Sequence, residues 1–390
     1  MLRFQVDDNR NQGHRFGQKQ RRQLVHVSGI ARMLLLFVLF LTMSACQSSS
    51  AGADTDVPPD AAAEQDLDVN QNADTPQDAA TDLQMQSESA ELRIGFPVAT
   101  LINGHIGQVL DKTEVLEKQQ INSTINTFPY GSPMMEALAA NKIDVALTTD
   151  GPSTLLLSKG IPANIIASLG TLRSGLMVLG DSDIQTVADL KGLEVAVPFG
   201  STPHMHLLRW LRNADLKPDE DVTVINLATG ELEPSLASGS VDAIVFWEPN
   251  VTQVVNKTNA RVIESDELTS IVIMRREFLD EHRDIAQRFV LALADASLYM
   301  ATHKDEVNGW FSEAARTESG IVHEASLYSP SYAEVEQLQD INLGLTDDVM
   351  ATLNASADFL IEIGSAEERV NIDDAVVPSL WEEALATREE

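Results

Sequence analysis

A single cysteine, Cys46, stands in 390 residues, so no disulfide can form within the chain and no cysteine pair can close a zinc site. Positive charge is outnumbered about two to one: 27 Lys and Arg face 59 Asp and Glu, a formal net charge of -32. No basic stripe survives to neutralise phosphates, which excludes nucleic acid as a partner. The longest apolar run, Met33 to Met43, is 11 residues, short of the ~17 that a spanning helix needs. No nucleophile elbow, P-loop or zinc-ligand spacing occurs, and no repeat at solenoid period. Nothing here asks for covalent chemistry or a cofactor.

What is present falls into three segments. Residues 1–45 hold seven Lys and Arg against two Asp and end in the short apolar run, the pattern of a cleavable signal peptide. Ser44, Ala45 and Cys46 follow at once. Small residues before a lone cysteine resemble the lipobox of bacterial lipoproteins, so Cys46 is the expected lipidation site and new N-terminus. The stretch QRRQLV, Gln20 to Val25, also resembles a twin-arginine export signal, and both export routes stay open. Residues 46–91 contain no Lys or Arg and are written mostly in Asp, Ala, Gln, Asn, Ser, Thr and Pro, the composition of a disordered acidic tether. From Cys46 onward 20 Lys and Arg meet 57 Asp and Glu, a formal charge of -37.

From Leu92 short apolar runs alternate with helical segments: LRIGFP, then GHIGQVLDKTEVLEK, INSTINTF, MMEALAANK and DVALTT. This β-α-β-α-β rhythm predicts a parallel sheet with right-handed crossovers. NIIASLGTL and LMVLG read as two further strands. A second α/β series runs from LEVAVP through ARVIES, and after TSIVIMRREF the chain is helical to its end. The fold class is therefore α/β with two lobes and a cleft: 92–180 with 268–390 as a discontinuous first lobe, 181–267 as the second. Open parallel sheets bind ligands beyond the carboxyl ends of their strands. That rule selects the loops 97–104, 129–133, 148–153, 198–204 and 247–249.

Within PFGSTPHMHLLRW, Pro198 to Trp210, Thr202 suits an N-cap and Pro203 the first helical residue. By phase His204 shares a face with Leu207, Leu208 and Leu211, and His206 shares one with Arg209 and Asn213. His204 is thus expected inward and His206 outward, a divergence that excludes a shared metal. Free N–H groups at this helix start make a pocket for a small anion. FWEPN, Phe246 to Asn250, offers Trp247 as an apolar wall and Glu248 as a carboxylate for an amine. TTDGPS, Thr148 to Ser153, adds Thr149 and Asp150, which a capped helix start explains equally well. Arg173 is a candidate anion partner, with a plain surface arginine as the alternative.

YGSPMMEALAANKIDVALTTDGPS, DLKGLEVAVPFGSTPHMHLLRWL, GSVDAIVFWEP and ADFLIEIG resemble the nitrate, sulfonate and taurine type of ABC-importer solute-binding proteins, the NMT1/THI5-like family. The resemblance implies a type 2 periplasmic-binding-protein fold of two Rossmann-like lobes with the ligand between them. It implies a monomeric, membrane-anchored receptor in the periplasm or cell envelope, serving an ABC permease and ATPase. Ser132, Thr149, Asp150, Arg173, Ser201, Thr202, His204, Trp247 and Glu248 are then the expected ligand-binding residues. His204 with Ser201 and Thr202 would meet the anionic end, so PFGSTPH is both cap and site. An enzyme on the same fold that makes pyrimidine or menaquinone precursors, and a ligand-sensing domain, are the alternatives.

Overall fold

The computed structural model describes residues 90–388. The expected leader, Cys46 and nearly all of the tether lie outside the described residues. The first series is β1 (Leu92–Pro97), α1 (Leu101–Lys112), α2 (Val115–Lys118), β2 (Ser123–Phe128), α3 (Gly131–Ala139), β3 (Val145–Thr149) and α4 (Asp150–Ser158). β1 pairs in parallel with β2 and with β3, as helical crossovers require. The second series, β5 (Glu194–Val197), α5 (Thr202–Asn213), β6 (Thr223–Asn226), α6 (Thr229–Ala237), β7 (Ala243–Trp247) and α7 (Asn250–Thr258), repeats the arrangement, with β5 parallel to β6 and β7.

Two long antiparallel strands join the halves. β4 runs unbroken over Ala163–Leu179 and β8 over Ala260–Arg275, where the apolar runs suggested two separate strands each. Seventeen residues of β4 reach roughly 55 Å, far enough to serve both lobes. The result is one eight-stranded sheet in the order β2-β1-β3-β8-β4-β7-β5-β6. Midway along β4 the register shifts between Ser168 and Gly170, and Gly170 has φ +108°, a conformation that favours glycine.

The remaining helices are α8 (Arg276–Glu281), α9 (Arg283–Thr302), α10 (Lys304–Ala315), α11 (Ser319–Ser326), α12 (Asp347–Glu362) and α13 (Leu380–Arg388). α9 packs on α1 and α13, and α12 packs on α4, so the C-terminal chain returns to the β1–β3 lobe. Ile165, Ile271 and Leu353 fill the core between this lobe's sheet and α12, whereas Val195, Leu207, Leu211 and Val245 fill that of the other. Among the described residues no helix is long and apolar enough to cross a membrane.

Candidate functional site

The first turns of four helices converge where the lobes meet. A narrow cavity of about 20 Å³ is lined by Thr100, Asn103, Tyr130, Thr149, Thr202 and Trp247, among others. Thr100 is the N-cap of α1, Tyr130 of α3 and Thr149 of α4, and none of the three caps makes a side-chain cap hydrogen bond. Each helix start carries about half a positive charge, so the cleft is locally electropositive within a strongly acidic chain.

At α5 the cap is Ser201, one residue earlier than the sequence suggested. Its hydroxyl accepts from the His204 N–H at 3.3 Å and donates to the Pro198 carbonyl at 2.7 Å. Thr202 is thereby released to the opposite lobe: its Oγ1 lies 2.9 Å from Thr149 Oγ1 and accepts the Gly151 N–H at 3.0 Å. Ser132 donates to the Phe199 carbonyl at 3.2 Å, and the Trp247 indole N–H donates to the Ala99 carbonyl at 2.9 Å. Gly200, at φ +73°, has no room for a side chain, since a Cβ there would stand 2.5 Å from Ser132 Oγ. These bonds draw the lobes together. A volume of 20 Å³ is little more than a water's room, so any larger solute requires the lobes to part.

Two buried polar atoms at this cavity have no hydrogen-bond partner, Asn103 Oδ1 and Thr148 Oγ1. Asn103 is held by its own amide, which donates to the Thr148 carbonyl at 2.7 Å. Beyond Trp247 lies a larger chamber of about 280 Å³, bordered by Glu233, Asn250, Gln253 and Arg316. Gln253 is tied to Glu233 at 2.7 Å, and the buried Asn250 Nδ2 has no partner. Asn103, Tyr130, Asn250 and Arg316 were not among the residues singled out in the sequence. Asn103 and Tyr130 fall in the selected loops, whereas Arg316 follows α10 with no signal of its own.

Several side chains stand elsewhere than the sequence pattern suggested. His206, expected outward, is 3% exposed, with Nδ1 2.6 Å from Ser174 Oγ and its ring tilted against Trp210. The amphipathic reading allowed one buried face, but α5 packs against β4, β7 and α4, and the Pro203–His206–Trp210 stripe is buried too. Burial lowers the His206 imidazole to about 3. His204, expected inward, is half-buried and stacks on Phe199 at 4.4 Å; burial lowers it to about 4. Its ring lines neither chamber.

Arg173 and Glu248, placed in the cleft by the sequence reading, bind each other. Arg173 Nε donates to Glu248 Oε1 at 2.9 Å, Nη2 joins it, and Glu248 Oε2 accepts the Thr252 N–H at 3.1 Å. Glu248 is fully buried and desolvation raises its carboxyl, while the guanidinium lies 3.4 Å over the Tyr328 ring. Neither side chain borders the two chambers. Asp150, 3% exposed, accepts from Thr269 N and Ser356 Oγ, each at 3.1 Å, tying α4 to β8 and α12; desolvation raises its carboxyl as well.

Residues 85–309 match the model of the NMT1-like family. The chain belongs to that family. A relative, the putative aliphatic sulfonates-binding protein of Bacillus subtilis (strain 168), is 26% identical over 279 residues, 70% of this chain and 81% of its own length. The alkanesulfonate-binding protein SsuA of Xanthomonas axonopodis pv. citri, solved bound to MOPS, superposes with a TM-score of 0.62 at 21% identity, covering 74% of this chain and 98% of SsuA. The desulfurization enzyme DszB superposes at 0.57 with 17% identity, covering 76% and 99%. The NMT1-like chain thus has the two-lobe periplasmic-binding fold, a fold that hosts both binding proteins and an enzyme.

Proposed function

We propose that this chain is an extracytoplasmic solute-binding receptor of an ABC importer, which closes its two lobes on a small anion of the sulfonate class and delivers it to a permease. The observation that carries this reading is the convergence of four helix starts on one interlobe cleft. Backbone N–H groups aimed at a common point bind an oxyanion without a cation nearby, and the carboxylate beside the Thr202 hydroxyl, Asp150 at 3.4 Å, is buried and occupied by Thr269 N and Ser356 Oγ. The Ser174–His206 pair is sealed in the core, where no substrate reaches it. Thr148 Oγ1 is a donor for one further anion oxygen, and the chamber beyond Trp247 takes the rest of the ligand between Glu233 and Arg316. The expected signal peptide, Cys46 lipidation and tether fit a receptor held at a membrane in the periplasm.

Titration calorimetry and thermal unfolding with taurine, methanesulfonate, ethanesulfonate, nitrate and bicarbonate test the proposal. A sulfonate at 100 times its Kd adds about 2.7 kcal/mol of stability. Nitrate binding without sulfonate binding overturns the ligand class, and no binding by any of the five overturns the receptor.

A further inference from the structure

Away from the interlobe cleft, a cavity of about 290 Å³ opens between α1, α9, α10 and α11. Leu101, Ile102, Met300 and Ala301 give it an apolar wall, each less than a tenth exposed. Leu327, at its rim, is 73% exposed, a large apolar side chain left in water. Tyr332 closes another side with its ring, because its hydroxyl is committed to the Leu169 carbonyl at 2.7 Å. Lys304 and Asp305 bring opposite formal charges to the lining, which also holds His323.

One buried polar group on this lining is unexplained by the fold. His105, 5% exposed, packs its ring 4.5 Å from Phe311 and shares the lining with Asn308, yet its buried Nε2 has no partner. In a neutral imidazole one ring nitrogen carries the proton and the other is a bare acceptor. Burial lowers this imidazole to about 3, so it stays neutral and accepting at any physiological pH. An unpaired acceptor in low dielectric is costly, and a partner that donates one hydrogen bond removes that cost.

We propose that this cavity is a second small-molecule site, for a compact, largely apolar, uncharged molecule that donates one hydrogen bond to His105 Nε2, with phenol and indole as its simplest representatives. The site stands apart from the interlobe cleft and does not rest on the receptor reading. Its volume sits at the low end of ligand pockets, which suits one aromatic ring or two fused ones.

Binding of phenol, indole and toluene to the folded protein, followed by ligand-observed NMR and calorimetry, tests it. Phenol and indole saturate the wild type, and toluene, of phenol's shape but without the donor, binds about 10-fold more weakly. His105→Leu brings phenol down to toluene and leaves toluene unchanged. Ser326→Phe, a substitution at a half-buried rim position with little risk to folding, fills the cavity and abolishes all three while leaving cleft binding intact. The proposal fails if no probe saturates the wild type, if phenol keeps its advantage in His105→Leu, or if Ser326→Phe still binds phenol.

Discussion

At Thr202 one hydroxyl does what the fold of neither lobe does alone: it bonds Thr149 and Gly151 across the cleft. Thr202→Val keeps the branched shape and leaves the buried Gly151 N–H without its acceptor, at a cost of about 1–3 kcal/mol to the closed form. The melting temperature of the ligand-free protein is expected to fall and its radius of gyration to rise, with Thr202→Ser near wild type. Calorimetry with X-ray scattering checks this, and equal behaviour of the two variants would sink it. His206 allows a test of another kind. Its folded pKa of about 3 lies below the unfolded value of ~6.5, so the unfolded state binds the proton first. Its contribution to stability is therefore fully present above ~6.5 and is lost as pH falls toward 3, at about 1.4 kcal/mol per pH unit. His105 acts in the same direction. Asp150 and Glu248, raised by burial, act oppositely, but only near and above the ordinary carboxylate range of ~4. Melting temperatures from pH 7.5 to 5 should fall less steeply for His206→Gln than for wild type, and parallel curves would contradict the assignment.

Among the elements, β4 and β8 are where sequence pattern and structure part most clearly. Hydrophobic periodicity reports burial, and the polar stretches Thr171–Ser174 and Glu264–Glu267 interrupt it as turns would. The ladder nevertheless continues through them, since Arg173 stands opposite Glu267 and Ser174 opposite Asp266 in a ribbon only partly covered there. The short α/β units, the strand-end loops and Trp247 were legible because each depends on neighbours within a dozen residues. The Arg173–Glu248 pair, 75 residues apart, and the burial of His206 against β4 depend on tertiary packing, which no local pattern encodes. Gly170 in β4 makes the ribbon testable. A Cβ there meets Ser331 Oγ at 2.4 Å, at φ +108°. Gly170→Ala is expected to cost more than ~1 kcal/mol. Adding Ser331→Gly should recover the clash but not the backbone strain, so urea unfolding of the double variant falls between Gly170→Ala and wild type. Full recovery would show that the conformation at Gly170 carries no strain.

For the whole molecule the question is how a chain of net charge -32 would capture the anion proposed for it. Its long-range field repels the ligand at distance, whereas the helix-start attraction acts only within about a turn of each terminus. Salt separates the two, because the Debye length shrinks from ~30 Å at 0.01 M to ~8 Å at 0.15 M ionic strength. Screening removes the repulsion during approach and leaves the N–H contacts inside the closed cleft nearly untouched. The association rate of an alkanesulfonate should therefore rise between those salt concentrations while its dissociation rate holds, and the rate for zwitterionic taurine should move much less. Stopped-flow measurements on the indole signal of Trp247, with a Trp247→Phe control, follow both rates. If affinity instead weakens with salt, the anion is held by an exposed formal charge, and Arg316 in the chamber beyond Trp247 takes the place of the helix starts; Arg316→Gln would then abolish the salt dependence.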